Sequence, residues 1–271
     1  MQDEMNGSND GKIGLFDSGL GGLTILKAVA KDLPLYDYVF FGDTEHLPLG
    51  DKTEEEIYSY TKAGVEELFR RDCSLVIIAC NTASAETLRR LQDTFLATEY
   101  PERRILGVII PTIEELIDSG AKSALLLATK RTIESSKYEK ELEKSGSNIT
   151  LHSVATPELV PMIEEGKLDE AAEAAVAIIK VQIERVGEID TIVLGCTHYT
   201  KLKDALRRAY GVAPTILSQD EIIPHKLTSY LDNHPEIESY LSRNSTRSIH
   251  LSSHRPDYDQ IAAELLGGVM M

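Results

Sequence analysis

The sequence predicts an α/β protein with mostly parallel sheets flanked by helices. Three observations carry that expectation. Short β-rich runs alternate with amphipathic helical stretches along the 271 residues. The second half repeats the plan of the first. Two of the three cysteines, Cys80 and Cys196, occupy equivalent settings: each ends an apolar, strand-like run and precedes small hydroxyl or amide residues.

The elements follow in order. Lys12 to Phe16 reads as a first strand, then a Gly-rich turn, then a helix through Leu23, Ile25, Leu26 and Val29. Tyr36 to Gly42 is a second strand. Thr53 and Glu56 form a capping-box pattern that opens a helix reaching about Arg71. Leu75 to Ala79 is a buried strand that delivers Cys80, with a helix just beyond. Further strands are expected at Ile105–Ile109, Ser123–Leu127, Ile149–Val154 and Thr191–Leu194, separated by helices of which Ala-rich Leu168–Val186 is the clearest. Past Cys196 come a helix, a short strand at Pro214–Leu217, a helix at Glu221–Tyr230, a strand at Ser248–Leu251 and a last helix from about Pro256 to Leu266. Asn233 to Arg247 reads as a loop or a surface helix. No low-complexity linker separates the halves.

Composition narrows the function. A net charge of −16 argues against nucleic acid or an anionic membrane surface as partner. It also means that an anionic small substrate needs strong local donors. Three cysteines without framework spacing suit a reducing cytoplasm better than a secreted disulfide scaffold. The first ten residues are polar and acidic, without a signal-peptide core, and read as a flexible tail. No apolar run approaches a membrane span. The expectation is a soluble, cytoplasmic protein.

In open parallel sheets, ligands bind beyond the carboxyl ends of the strands. The first strand ends in Phe16-Asp-Ser-Gly-Leu-Gly-Gly-Leu-Thr24, whose glycines allow tight turning and leave amides free to hold an anion. The spacing is not a dinucleotide fingerprint. Asp17, directly after the strand, points a carboxylate into the cleft. Cys80 and Cys196 each sit at a strand end beside a helix start, where the helix dipole favours thiolate. Any single cysteine is more often a small buried hydrophobe, and Cys73, which precedes its strand, is read that way. The repeated setting moves Cys80 and Cys196 toward function.

Asn81, Thr82, Ser84, Thr197 and Thr200 supply donors around these thiols that would bind carboxylates without arginine, although Thr82 or Ser84 would also serve as ordinary caps. His198, two residues past Cys196, is placed to activate a thiol or relay its proton. The other six histidines are read as unremarkable. Cys196 and His198 would also suit zinc, but the chain has no CxxC or HxxxH pair, so metal is the weaker reading.

Gly14-Leu-Phe-Asp-Ser-Gly-Leu-Gly-Gly-Leu-Thr24, Phe41-Gly-Asp-Thr44, Ala79-Cys-Asn-Thr-Ala83 and Leu194-Gly-Cys-Thr-His-Tyr199 resemble the glutamate racemases of the aspartate/glutamate racemase superfamily. Thr129-Lys-Arg-Thr132 and Leu159-Val-Pro-Met-Ile-Glu-Glu-Gly166 extend the match, in family order, over about Lys12 to Leu266. The resemblance implies a cofactor-independent enzyme of two pseudo-symmetric domains with glutamate between them. After a tail over 1–11, the first domain would hold 12–104 plus 218–271 and the second 105–217. It implies Cys80 and Cys196 as the acid/base thiols, Asp17 assisting Cys80, and His198 with Glu164, or its neighbour Glu165, assisting Cys196. Ser18, Asn81, Thr82, Thr129, Thr132 and Thr197 would bind substrate together with Asp17 and His198. Pro48, Leu49 and Gly50 would wall the cleft. D-glutamate for peptidoglycan and a homodimer also follow from the resemblance.

The chain departs from the family pattern at several places. Leu49 stands for a tyrosine, Ile110-Pro111-Thr112 for Glu-Pro-Gly, Ala128 for a glycine and Thr200 for a proline. These touch substrate fit and leave the thiols intact. The competing readings are a racemase of aspartate or another amino acid, a non-catalytic amino-acid-binding regulator, and a metal-dependent hydrolase.

Overall fold

The structure, a computed structural model, describes residues 10–253. In chain order it runs β1 (Lys12–Asp17), α1 (Leu23–Asp32), β2 (Tyr38–Gly42), α2 (Glu54–Arg70), β3 (Cys73–Ile78) and α3 (Asn81–Arg90). A π-helical segment, Leu91–Leu96, and the short α4 (Ala97–Glu99) continue α3. Then come β4 (Arg104–Gly107), α5 (Ile109–Asp118), β5 (Ser123–Ala128), α6 (Lys130–Glu134), α7 (Lys137–Lys144), β6 (Thr150–Ala155), α8 (Leu159–Glu164) and α9 (Leu168–Val186). The chain continues through β7 (Thr191–Gly195), a 3-10 turn over Thr197–Leu202, α10 (Lys203–Tyr210), β8 (Thr215–Ser218), α11 (Gln219–Asn233), α12 (Pro235–Glu238) and β9 (Arg247–Leu251). The helix expected from Pro256 lies outside the described residues.

The strands form two all-parallel sheets, one ordered β4-β3-β1-β2-β9 and the other β6-β5-β7-β8. Helices cover both faces of each. In the first sheet Ile13, Leu15, Leu75 and Ile77 pack toward α1 and α11, while Phe16, Val76 and Ile78 pack toward α2 and α3. In the second, Leu125, Leu127, Ile192 and Leu194 pack toward α8, α9 and α10, and Leu126 and Val193 toward α5 and α7. Burial on both faces is why these strands read as unbroken apolar runs. No described helix is long and apolar enough to cross a membrane.

Register places the site. Asp17 pairs with Gly42 and Phe16 with Ile78, so Ser18, Asp43 and Cys80 leave the first sheet at one edge. Ala128 pairs with Ala155 and Gly195, and Leu194 with Ser218, so Thr129, Thr156, Cys196 and Gln219 leave the second sheet together. The capping box forms as read: Thr53 accepts from the Glu56 amide, and the Glu56 carboxylate accepts from the Thr53 amide.

Three expectations need correction. The boundary at 104/105 cuts through β4, which pairs along its length with β3 in the first sheet; which sheet a strand joins is settled by a distant partner, not by its own residues. Gly11 is not tail, since its amide bonds to the Tyr240 carbonyl and it bridges Leu241. The stretch Asn233–Arg247 is neither pure loop nor pure helix: after α12 it is gathered by the buried Asp37. That carboxylate accepts from the hydroxyls of Ser242 and Thr246, the Thr246 amide and the Asn244 side chain at 2.5–2.7 Å. This knot shortens the second strand to Tyr38 and sets up β9.

Burial pushes the Asp37 carboxyl up, but these hydrogen bonds outweigh it and hold its pKa down at about 2, against an ordinary 3.8. A depressed folded pKa means stability that is present above 3.8 and lost as pH falls through about 2. Urea unfolding followed across that window is expected to show declining stability in the wild type. In Asp37→Asn the decline is shallower, from a lower starting stability.

Candidate active site

Where the carboxyl edges of the two sheets meet, a cleft of about 80 Å³ is lined from both sides. Ser18, Pro48, Leu49, Gly50, Cys80, Asn81 and Thr82 come from the first sheet's loops, and Thr129, Cys196, Thr197 and His198 from the second's. Both cysteines therefore line one space, although each belongs to a different sheet and both are less than a tenth exposed.

Cys80 is the N-cap residue of α3. Its Sγ lies 3.3 Å from the Ser18 hydroxyl. Burial and the nearby Asp17 charge push the thiol up to about 12, against the smaller opposing pull of the Ser18 and Ala83 hydrogen bonds. Cys80 is thus held protonated at neutral pH. The helix-start dipole that the sequence suggested for thiolate is present, but desolvation outweighs it.

Asp17 is fully buried. Its carboxylate accepts from the amides of Gly19 and Gly22 at 3.3 and 3.1 Å and from the Thr197 hydroxyl at 3.3 Å. Burial raises its pKa, while the His198 charge and these donors lower it, and burial prevails. The glycine turn serves this contact: a Cβ at Gly21 would meet Thr197 Oγ1 at 2.5 Å, and one at Gly22 would meet Asp17 Cβ at 2.8 Å. Only bare backbone lets the first sheet's turn come so close to the residues after Cys196.

On the opposite wall, Cys196 Sγ stands 3.6 Å from His198 Nδ1, and His198 Nε2 stands 2.6 Å from Glu164 Oε1. Burial pulls the imidazolium down, but the Cys196 and Glu164 contacts outweigh it and hold His198 up at about 10. A carboxylate–imidazole–sulfur line results, with a proton at hand for the sulfur. The adjacent Glu165 turns away to Lys167 Nζ at 2.6 Å. Of the pair, Glu164 is therefore the carboxylate that meets His198.

The hydroxyls of Thr82, Thr129 and Thr132 form a closed triangle, with edges of 2.8, 2.9 and 3.3 Å, that joins α3 to α6. Thr82 and Thr129 line the cleft and Thr132 stands behind them. Asn81 lines it too, but its side chain is engaged with Gln219 and Tyr138. Asp17 and Glu164 are not on the cleft lining; Asp17 accepts from Thr197, and Glu164 pairs with His198. Among the described residues no group of three or more His, Cys, Asp or Glu is gathered for a metal.

Of the departures from the family pattern, Leu49 does line the cleft, whereas Ile110 and Pro111 line a separate hollow of about 430 Å³ beside α11. Thr200 donates to Thr24, one more bond between the two halves. The cleft lining also holds Leu47, Asp51, Lys130, Pro157, Val160 and Pro161, which sequence reading missed. Lys130 sits inside Thr129-Lys-Arg-Thr132, and its position between the two threonines is the signal available in the sequence. Pro157 carried none.

A family model for Asp/Glu/Hydantoin racemase matches residues 25–221. The glutamate racemase of Ruegeria sp. (strain TM1040) is 35% identical over 237 residues, 83% of this chain and 87% of that one. A glutamate racemase isoform from Bacillus anthracis superposes with a TM-score of 0.83 at 27% identity, covering 97% of both chains. The glutamate racemase of Francisella tularensis subsp. tularensis SCHU S4, in complex with D-glutamate, gives 0.81 at 25% identity over 97% of this chain and 96% of that one.

The carboxylate–imidazole pair makes its own test. In Glu164→Gln, the His198 imidazole is expected to titrate well below about 10, whereas Glu165→Gln should leave it in place. An NMR titration of the His198 ring in both variants distinguishes the two; equal effects would remove Glu164 from its role.

Proposed function

The chain belongs to the Asp/Glu/Hydantoin racemase family, and we propose that it interconverts L- and D-glutamate with Cys80 and Cys196 as its two acid/base groups. The single observation that carries this reading is that both thiols line one cleft, from strand ends of two different sheets. One sulfur for each face of a tetrahedral carbon is what inversion requires. The choice of glutamate rests on the relatives named above.

Removing an α-proton beside a carboxylate is difficult, because the electron pair left behind adds to charge already present. General acid–base catalysis contributes about 10²–10⁴-fold, so fixed donors in a water-poor cleft must supply much of the rest. The donors at hand are the amides at the start of α3 and the hydroxyls of the threonine triangle, Thr197 and Ser18, which would turn from their present partners to the substrate. They answer the charge problem of an acidic chain binding a dianion without an arginine.

In one direction Cys196, as thiolate, takes the α-proton and becomes a thiol. The electron pair delocalises into the α-carboxylate, and Cys80, held protonated, delivers its proton to the opposite face and is left as thiolate. The enzyme then stands ready for the other enantiomer. His198 holds or relays a proton at Cys196, Glu164 holds His198, and Asp17 holds the glycine turn and Thr197. The route draws only on the chain's own side chains. D-glutamate made this way would supply peptidoglycan.

L-glutamate in D₂O is the direct test. The wild type should racemise it and place solvent deuterium at the α-carbon, while Cys80→Ala and Cys196→Ala each lose at least about 10²-fold in rate. Racemisation kept in both variants would sink the mechanism, and brisk turnover of aspartate with none of glutamate would sink the substrate. A protein that only binds amino acids would keep its affinity in Cys80→Ser and never exchange the α-proton.

A pH limit follows from His198. A pKa raised from 6.5 to about 10 means that the proton, and the stability of the pair with Glu164, is fully present below 6.5 and lost as pH rises through about 10. Both the racemisation rate and thermal stability are expected to fall on that alkaline limb. In Glu164→Gln the limb should move to lower pH.

A further inference from the structure

Gln219 is the first residue of α11, far in sequence from either thiol, and is completely buried. A buried primary amide is costly unless all its polar atoms are bonded. Here they are. Asn81 Nδ2 donates to Gln219 Oε1 at 2.7 Å, and Gln219 Nε2 donates back to Asn81 Oδ1 at 2.9 Å, a reciprocal amide pair. The second Gln219 hydrogen is shared between Thr112 Oγ1 at 3.2 Å and Tyr138 Oη at 3.4 Å. Tyr138 in turn donates to Asn81 Oδ1 at 2.7 Å. All four residues are 2% exposed or less.

The geometry points to Gln219 as a positioning residue for the Cys80 wall of the cleft, acting through Asn81. This rests on the racemase reading above and adds a residue to it. Asn81 follows Cys80 directly and opens α3, whose Ala83 amide bonds to the Cys80 sulfur. With both lone pairs of its side-chain carbonyl taken, by Tyr138 and Gln219, the Asn81 side chain has one rotamer open to it. The first turn of α3 is thereby fixed to α5, α7 and α11 at once. Asn81 is left with its backbone amide and one side-chain hydrogen for the substrate, so its larger task is structural. Gln219 suits the place because the pair needs a donor and an acceptor on one planar group. Leucine offers neither, and an ionised glutamate offers no donor.

Two variants and one chemical probe test the assignment. Gln219→Leu, near in volume, is expected to lower kcat roughly tenfold or more with KM for glutamate changed by less than about threefold, as for a misplaced acid/base group. Gln219→Glu restores the pair only while its carboxyl is protonated, donating to Asn81 Oδ1 and accepting from Asn81 Nδ2. Its kcat relative to wild type should therefore be highest at the acid end and fall as the carboxyl ionises, with the fall displaced upward in pH by burial. A packing role alone gives no such pH-dependent rescue. Independently of any substrate, iodoacetamide labelling read by mass spectrometry should find Cys80 alkylated several-fold faster in Gln219→Leu, with Cys196 unchanged, as the loosened wall opens.

A wild-type kcat in folded Gln219→Leu, or a flat activity ratio with pH in Gln219→Glu, would overturn the proposal. Should Gln219→Leu fail to fold, the pH ratio of Gln219→Glu decides. Should the wild type leave glutamate unracemised, the substrate reading falls, and the labelling of Cys80 against Cys196 still decides whether Gln219 holds that wall.

Discussion

Where the carboxyl edges of the two sheets meet, small polar groups bond across, and the rest of the site depends on that contact. Helix α11 adds an apolar join, with Ile223 and Leu227 in the first sheet's core and Ile222 in the second's. Asp17 meets Thr197, Thr82 meets Thr129 and Thr132, Thr24 meets Thr200, and Asn81 meets Gln219. Each bond is worth about 0.5–1.5 kcal/mol net, yet leaving either partner buried and unpaired would cost more. Apolar cores on both faces of each sheet hold the two halves rigid around this seam.

Closeness at the seam decides the electrostatics. Cys80, Asp17 and His198 are all nearly dry, so each feels a neighbour's charge as well as its own desolvation. The outcome is asymmetric: a thiol pushed up to about 12 beside a carboxylate on one wall, and a sulfur beside an imidazolium held at about 10 on the other. That asymmetry gives the two sulfurs different protonation partners. It also lets a chain of net charge −16 present hydroxyls, amides and one imidazolium to an anion.

Much of this was legible in the residues. Continuous apolar text located β3, β5 and β7, because both faces of each strand are covered. Thr53 with Glu56 located the start of α2, because a capping box is a local device. The repeat of one setting singles out Cys80 and Cys196, which both line the cleft, whereas Asp17, read as the residue after a strand, is the last residue of β1 and lies behind the lining. Pairings were not legible. Nothing in Arg104–Gly107 says that it joins β3, nothing in Asp37 says that it gathers Ser242, Asn244 and Thr246, and nothing in Gln219 points to Asn81, since each partner lies far along the chain. The choice of Glu164 over Glu165 needed the direction of each side chain at the end of α8. The dipole argument for thiolate at Cys80 named a real effect but lacked the larger one, burial.

A structure of the chain with glutamate in the cleft tests the central claim most directly. It should show both sulfurs within about 3.5 Å of the α-carbon, one on each side of the plane of its carboxylate, carbon and nitrogen. Both sulfurs on the same side, or either one turned away from that carbon, would contradict the account.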